Sequence, residues 1–381
     1  MRATKLFKEF FESEKAGGIV LVVCTIISMI LANSGFRESY LGFWNTPVAG
    51  HGLGHWINDG LMSIFFLLIG LELEREIYIG ELSQLKNALL PISAAVGGMI
   101  FPAAIFLFFN WGTPGQPGAG IPMATDIAFA LGILSLLGNK VPTSLKVFLT
   151  ALAVIDDLGA IIVIAIFYTK SIAWTYLLIA IAIWLGLLIL NRLKVHNLIP
   201  YIVGGIVMWY CMLNSGVHAT ITGVLLAFAI PFGNGDENSS SYMLQHRLHR
   251  PVAFIILPLF ALANTAVMIN AGWQQSLTEP IGAGILGGLI AGKPIGIMVI
   301  SFIAVKLGIC NLPSDIGWKQ ILGAGLLAGI GFTMSIFITL LAFDNDVFIN
   351  NAKFLILIAS FVSGLLGFLW LQQTLENKKA V

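Results

Sequence analysis

About twelve apolar segments, most of them long enough to cross a lipid bilayer, dominate this sequence. The segment from Val147 to Tyr168 is typical, because its 22 residues would form about 33 Å of α-helix and a membrane has a hydrocarbon core of roughly 30 Å. Charged residues make up 10% of the chain, against about 25% in soluble proteins. The sequence therefore predicts an all-α polytopic membrane protein with about 12 transmembrane helices. The segments lie near 17–33, 56–71, 89–109, 121–137, 147–168, 173–190, 199–213, 217–232, 252–269, 281–305, 321–343 and 354–371.

The connections between the segments are mostly short, which predicts a single transmembrane domain over residues 1–381. Lys and Arg are retained on the cytoplasmic side of a membrane. If the N-terminus is cytoplasmic, sixteen basic residues lie on the cytoplasmic side of the membrane, and only Arg37, Lys170 and Lys353 lie on the outer side. We therefore expect both termini in the cytoplasm. A cleaved secretory signal is the alternative for the N-terminus, but the three glutamates between residues 9 and 14 are unusual in the basic region of such a signal.

Four charged side chains lie well inside the apolar segments, away from their ends: Asp126, Asp156, Asp157 and Lys293. An ionised side chain at the bilayer centre costs at least about 2.5–3.5 kcal/mol, so such residues usually mark an ion pathway or a proton relay. A structural ion pair between Lys293 and one aspartate is the alternative, but it leaves two carboxylates unexplained. The set therefore favours transport of a cation or a proton.

Two of the apolar segments have a composition that favours an interrupted helix. The segment 121–137 begins with Pro122, and the segment 321–343 contains four glycines. The triplet of segments near 89, 121 and 147 is echoed, with inverted topology, by the triplet near 281, 321 and 354, which predicts repeats over roughly 89–168 and 281–371. Interrupted helices in inverted repeats are typical of secondary transporters. The alternative is that the glycines only allow close helix packing.

Six stretches, in order along the chain, resemble the NhaA-type sodium/proton antiporters. The resemblance implies the NhaA-like fold, with inverted repeats and two interrupted helices. It also implies electrogenic, pH-regulated exchange of cytoplasmic Na⁺ or Li⁺ for external H⁺ by alternating access, in the service of Na⁺ and pH homeostasis. The stretches are GLELEREI at 70–77, ATDIAFALGILSLLG at 124–138, LTALAVIDDLGAIIVIA at 149–165, SGVHATITGV at 215–224, LPLFALANTAV at 257–267 and AGKPIGI at 291–297.

The resemblance also assigns roles to the buried residues. It implies that Asp156 and Asp157 bind the transported Na⁺ or Li⁺ and the proton, and that Thr125 and Asp126 lie where the interrupted helices cross. Lys293 matches a lysine that pairs with Asp156. These roles agree with the chemistry of the side chains, because a hard cation prefers oxygen ligands and protons compete for the same oxygens.

A second group of residues matches the pH-responding positions of the family. On sequence alone, a solvated helix end is the favoured interpretation for most of them, although histidine does change its charge in the physiological range. Gln245 stands where the family commonly has a glutamate, and Glu74 is an additional acid, so the pH threshold stays open. The group comprises Glu72, Arg75, Glu76, His218, His246 and His249.

The resemblance further implies a homodimer in the bacterial cytoplasmic (inner) membrane. The stretch FWNTPVAGHGLGHW at 43–56 resembles the family's β-hairpin at the dimer contact. Beyond the lipid bilayer and the transported Na⁺, Li⁺ and H⁺, no nucleic-acid partner and no cofactor is expected. The chain has no nucleotide-binding loop of the form Gly-x4-Gly-Lys-Ser/Thr, which makes ATP-driven transport an unfavoured interpretation.

Two other classes of protein place carboxylates inside a membrane. An intramembrane aspartyl protease would pair Asp126 with Asp156 or Asp157, but no Gly-x-Gly-Asp stretch is present and Lys293 would have no role. A cation channel would use acidic rings, but it needs no lysine opposing the carboxylates. The sequence therefore favours a secondary transporter over an enzyme or a channel.

Overall fold

The computed structural model describes residues 2–169, 171–269 and 273–376. The expected cytoplasmic positions of Met1, Lys378 and Lys379, and the outer position of Lys170, lie outside the described residues. The helices are α1 (Arg2–Ala32), α2 (Arg37–Trp44), α3 (Leu53–His55), α4 (Met62–Tyr78), α5 (Leu85–Asn110), α6 (Ile127–Leu136), α7 (Thr143–Phe167), α8 (Trp174–Arg192), α9 (Leu198–Leu213), α10 (Ile221–Ala229), α11 (Ser240–Pro251), α12 (Leu257–Asn264), α13 (Trp273–Thr278), α14 (Pro280–Leu286), α15 (Lys293–Lys306), α16 (Trp318–Ala328), α17 (Phe332–Ala342) and α18 (Asp346–Glu376).

The described part of the chain contains seven helices that are long and apolar enough to cross a membrane, and an eighth if the bent pair α16 and α17 is one span. Two shorter apolar helices, Ala16–Ala32 and Leu198–Leu213, match two more predicted segments. The two remaining predicted segments, 217–232 and 252–269, contain the short helices α10 and α12. The polytopic helical class is confirmed, whereas the count of twelve spans and the inverted repeats stay predictions. The seven long helices are Leu53–Tyr78, Lys86–Asn110, Gln116–Leu136, Thr143–Phe167, Trp174–Arg192, Pro280–Lys306 and Asp346–Leu375.

Two helices are interrupted. In the first, a 3₁₀-helix over Gln116–Met123 ends at extended backbone, and α6 begins only after Asp126. In the second, α16 ends at Ala328 and α17 begins at Phe332, with a bend of 47° between them. Each break leaves backbone N–H and C=O groups without partners in their own helix, so both breaks must be satisfied by other parts of the protein.

Small residues let the long helices pack closely. A Cβ atom added to Gly97 on α5 would overlap the carbonyl oxygen of Gly296 on α15, and one added to Gly296 would overlap that of Gly97. On the α4–α10 contact, a Cβ atom at Gly223 would overlap the carbonyl oxygen of Ser63. Close backbone approach at small residues is the usual way in which membrane helices associate.

A short antiparallel hairpin follows α2, with β1 (Pro47–Val48) paired to β2 (His51–Gly52). Its turn contains Ala49 and Gly50, both at positive φ, as a tight hairpin turn requires. The hairpin forms within the stretch that the sequence predicts as one. Its expected role in a dimer contact stays a prediction.

Candidate functional site

The two interrupted helices meet at their breaks. The backbone N–H of Asp126 donates to the carbonyl oxygen of Ile330 over 2.7 Å. The Thr125 hydroxyl donates to the carbonyl oxygen of Ala328 over 3.0 Å. Each break therefore satisfies backbone groups that the other break leaves unpaired, which explains how an extended chain is tolerated in a buried position.

The carboxylate of Asp126 caps two helices at once. Its Oδ1 accepts from the Phe129 N–H at the start of α6 over 3.0 Å. Its Oδ2 accepts from the Thr333 N–H at the start of α17 over 3.1 Å and also from the Thr333 hydroxyl. Both helix N-termini carry partial positive charge, so one buried carboxylate compensates two helix dipoles. Asp126 therefore contacts both interrupted helices, and its role in transport stays a prediction.

Thr333 is a site residue that the sequence analysis does not assign. A hydroxyl two residues after Gly331 is the only signal that the sequence offers for it. Ser360 on α18 is a second such residue, because its hydroxyl accepts from the Phe332 N–H over 3.0 Å. No sequence signal connects Ser360 with a break that lies 28 residues away.

Lys293 and Asp156 form an ion pair, with 2.8 Å between Nζ and Oδ2 and with both side chains fully buried. The Thr125 Oγ1 atom lies 2.7 Å from the same Oδ2, so the single hydroxyl proton of Thr125 is shared between this oxygen and the carbonyl oxygen of Ala328. Lys293 also donates to the carbonyl oxygen of Met123, at the end of the 3₁₀-helix. The lysine therefore compensates both a carboxylate and the negative end of an interrupted helix, and the structure brings Thr125, Asp156 and Lys293 together.

Asp157 lies next to this pair and is 0% exposed. Neither of its carboxylate oxygens has a hydrogen-bond partner within the parts of the chain that the structure describes, and the same holds for Asp156 Oδ1. A buried ionised carboxylate without partners is very costly. These three oxygens can therefore accept a proton or bind a cation, whereas the oxygens of Asp126 are already used as helix caps.

A dense cluster of metal-binding side chains is absent: among the described residues, no group of three or more His, Cys, Asp or Glu side chains is arranged to hold a metal ion. A cation at Asp156 and Asp157 would need further oxygen ligands, such as hydroxyl groups, carbonyl groups or water. This donor set suits a transported Na⁺ or Li⁺ ion. The assignment of these two residues as its ligands stays a prediction.

The predicted pH-response residues of α4 and α11 lie on two helices that contact each other. The Arg75 guanidinium lies 5.4 Å from the ring centre of Tyr242, and that ring stacks on His246 at 6.2 Å. Nearby, the Ser241 hydroxyl donates to Oε2 of Glu74, which is only 3% exposed, over 3.1 Å. The two helices thus share a contact that contains several ionisable groups.

The other predicted pH-response residues lie in two places, on the contacting helices α4 and α11 and at the loop between α9 and α10. Glu72 and Glu76 are on α4, and His249 is on α11. His218 lies instead between α9 and α10, with its Nε2 atom 3.0 Å from the carbonyl oxygen of Tyr168 at the C-terminal end of α7.

Known proteins resemble this chain over nearly its whole length. The family model described as Na⁺/H⁺ antiporter 1 matches residues 8–371. The Na(+)/H(+) antiporter NhaA of Flavobacterium psychrophilum is 65% identical over 99% of this chain and 98% of its own length. The NhaA of Cytophaga hutchinsonii is 62% identical over 99% of this chain and 97% of its own length.

Among solved structures, the sodium proton antiporter MjNhaP1 of Methanocaldococcus jannaschii superposes with a TM-score of 0.49 at 14% identity, covering 98% of this chain and 97% of that chain. The assignment rests on the sequence matches. The matched relatives are named as antiporters, which are transporters rather than enzymes. Because the family model and these relatives cover almost every residue, this chain belongs to the NhaA family of Na⁺/H⁺ antiporters.

Proposed function

We propose that this protein exchanges cytoplasmic Na⁺ or Li⁺ for external H⁺, and that Asp156 and Asp157 bind both. The observation that carries the proposal is the fully buried Asp157 carboxylate, whose oxygens have no partner in the described structure. It lies beside an ion pair that a cation can compete with. The matched relatives are named as Na⁺/H⁺ antiporters.

Competition for the same oxygens explains the coupling. A bound cation needs the carboxylates ionised, and a bound proton removes their negative charge, so the two ligands exclude each other. Lys293 supplies a third occupant of Asp156, because its ammonium group neutralises the carboxylate while the cation is absent. Coupled exchange then follows if the site without a cation can turn back to the cytoplasm only when protons are bound to it.

Alternating access is the mechanism that suits this arrangement. We expect Thr125 and Asp126 to lie at the interface of the repeats expected over 89–168 and 281–371, since both residues bind the second interrupted helix. Rocking of one repeat against the other would open the carboxylates first to the cytoplasm and then to the outside. We expect more protons to enter than cations to leave in each cycle, which makes the exchange electrogenic.

Regulation by pH belongs to the same proposal. The ionisable groups at the α4–α11 contact and His218 would adjust the rate to the proton concentration on the two sides of the membrane. We further propose a homodimer in the bacterial inner membrane with both termini in the cytoplasm. The residues assigned to pH response are Glu72, Arg75, Glu76, His218, His246 and His249.

The test uses inside-out membrane vesicles from a bacterium that lacks its own antiporters. The vesicle lumen is acidified by respiration, its pH is followed with a fluorescent dye, and Na⁺ or Li⁺ is added over a range of pH. We expect each cation to raise the luminal pH with the unaltered chain and with Glu237→Gln, a control in an exposed loop, but not with Asp157→Asn. No proton movement with either cation at any pH would overturn the proposed function.

A further inference from the structure

The turn that precedes Lys293 is not an ordinary α-helical turn. Residues Gly287–Gly292, between α14 and α15, form a π-helix. The backbone N–H of Lys293 donates to the carbonyl oxygen of Gly288, five residues earlier, instead of four. A π-helical turn contains one extra residue, is rare, and is found frequently at functional sites.

This π-helical turn contacts both interrupted helices. A Cβ atom added to Gly288 would lie 2.7 Å from the Cβ atom of Pro122, in the 3₁₀-helix of the first interrupted helix. A Cβ atom added to Gly329, at the break of the second, would overlap the carbonyl oxygen of Leu289. The turn therefore packs against both interrupted helices, and a change in its backbone geometry would alter its contacts with both.

Lys293 is the first residue after the turn, so its side-chain interactions hold the C-terminal end of the turn in position. Its ammonium group binds Asp156 and the carbonyl oxygen of Met123. A cation that binds Asp156 would compete with this ammonium group, because two positive charges cannot share a buried carboxylate without strong repulsion. When Lys293 leaves Asp156, the end of the π-helical turn loses an interaction that binds it to α7.

We propose that the π-helical turn Gly287–Gly292 is the hinge that moves Lys293 on and off Asp156 during transport. If the turn adopts α-helical hydrogen bonding, residues on either side rotate by about 100° relative to each other, which withdraws the ammonium group. The glycines of the turn allow the change in backbone geometry. This inference rests on the proposed exchange of Na⁺ for H⁺ and assigns a positioning role to a segment outside the carboxylate site.

Deletion of Ala291 tests the hinge. Ala291 is exposed, so its removal costs little packing. Without it, the N–H of Lys293 and the carbonyl group of Gly288 are four residues apart, the spacing of an α-helix, and both flanking helices can keep their positions. We expect the deletion variant to insert and to melt at or above the temperature of the unaltered protein, while the rate of Na⁺/H⁺ exchange falls at least about tenfold and the apparent KM for Na⁺ changes little.

A matched control removes one residue from the other π-helical turn of the second half of the chain, Val252–Ile256. Deletion of Ile255, which is 54% exposed, should leave exchange within about twofold of the unaltered chain. Full exchange by the Ala291 deletion variant would overturn the hinge while leaving the proposed function intact. Absence of exchange by the unaltered chain would reject both.

Hydrogen exchange of backbone amides in the intact protein gives a second readout if the deletion variant does not insert. Na⁺ is added at alkaline pH, and exchange is followed by mass spectrometry in peptides that cover 287–293 and 252–257. We expect Na⁺ to change the exchange rate in the first peptide and not in the second. An unchanged rate in the first peptide would also overturn the hinge.

Discussion

Lys293 and Asp156 face each other at 2.8 Å, and neither side chain is exposed to solvent. Removing two charges from water is costly, and their attraction offsets that cost only while both are present. The pair is therefore better suited to exchange of partners than to permanent stabilisation. This property distinguishes it from the Asp126 carboxylate, whose partners are backbone N–H groups and one hydroxyl.

Loss of one partner of the pair should be more damaging than loss of both. We expect Lys293→Ala to lower the free energy of unfolding by roughly 3–5 kcal/mol, because a buried charge is left without compensation. The double variant Asp156→Asn with Lys293→Gln should recover much of that loss. Thermal unfolding of the purified protein in detergent, followed by tryptophan fluorescence, measures both. A double variant that is less stable than Lys293→Ala would contradict this account.

Asp157→Asn should separate activity from stability. The Asp157 carboxylate is buried without a hydrogen-bond partner in the described structure, so its replacement by a neutral amide of similar size removes a desolvation cost. We expect cation-dependent proton movement to disappear, while the melting temperature stays equal or rises. A lower melting temperature together with retained exchange would show that Asp157 is structural.

In contrast to Asp157, replacement of Asp126 should destabilise the protein. Its two oxygens cap α6 and α17, and loss of an N-cap costs about 0.5–2 kcal/mol. We therefore expect Asp126→Ala to destabilise the protein by roughly 1–4 kcal/mol for two caps, and Asp126→Asn, which keeps one acceptor, to lose less. The same melting experiment measures both variants. Equal melting temperatures for Asp126→Ala and the unaltered chain would exclude the capping role.

Gly97 and Gly186 provide a matched pair of glycine variants. A Cβ atom at Gly97 would overlap the backbone of Gly296, whereas a Cβ atom at Gly186 on α8 meets nothing within 4 Å. We expect Gly97→Ala to cost about 1–3 kcal/mol by forcing α5 and α15 apart. Gly186→Ala should be neutral or stabilising, because Ala favours a helix by about 1 kcal/mol over Gly. Melting temperatures that fall equally would argue against the close α5–α15 contact.

Glu74 gives a test of pH dependence at the α4–α11 contact. An ionised carboxylate is a stronger acceptor for the Ser241 hydroxyl than a neutral group is, and Glu74→Gln permanently mimics the protonated acid. We expect the exchange rate of Glu74→Gln to stay unchanged at acidic pH and to fall at least about twofold at alkaline pH. Rates are measured in the same vesicles, with Glu237→Gln as the control. Identical pH profiles would exclude Glu74 from the pH response.

The sequence determined the membrane class and the composition of the buried site. Long apolar segments can only be placed in a bilayer, and Asp126, Asp156, Asp157 and Lys293 are conspicuous because charge is costly there. Pro122 and the glycines near 329 also predicted where the helices break. These conclusions follow from local composition, which a single segment displays by itself.

The family resemblance already pairs Lys293 with Asp156, whereas only the tertiary structure decided the partners of the other groups. In the structure, Asp156 binds Lys293 and Thr125, and both oxygens of Asp126 cap helices. Asp157 has no hydrogen-bond partner among the described residues. Thr333 and Ser360 belong to the site because folding brings their helices to the crossing of the two interrupted helices. The π-helical turn before Lys293 could not be predicted either, since a stretch that contains three glycines is compatible with several backbone geometries. Pairing between segments far apart in the chain depends on packing geometry, which local composition does not contain.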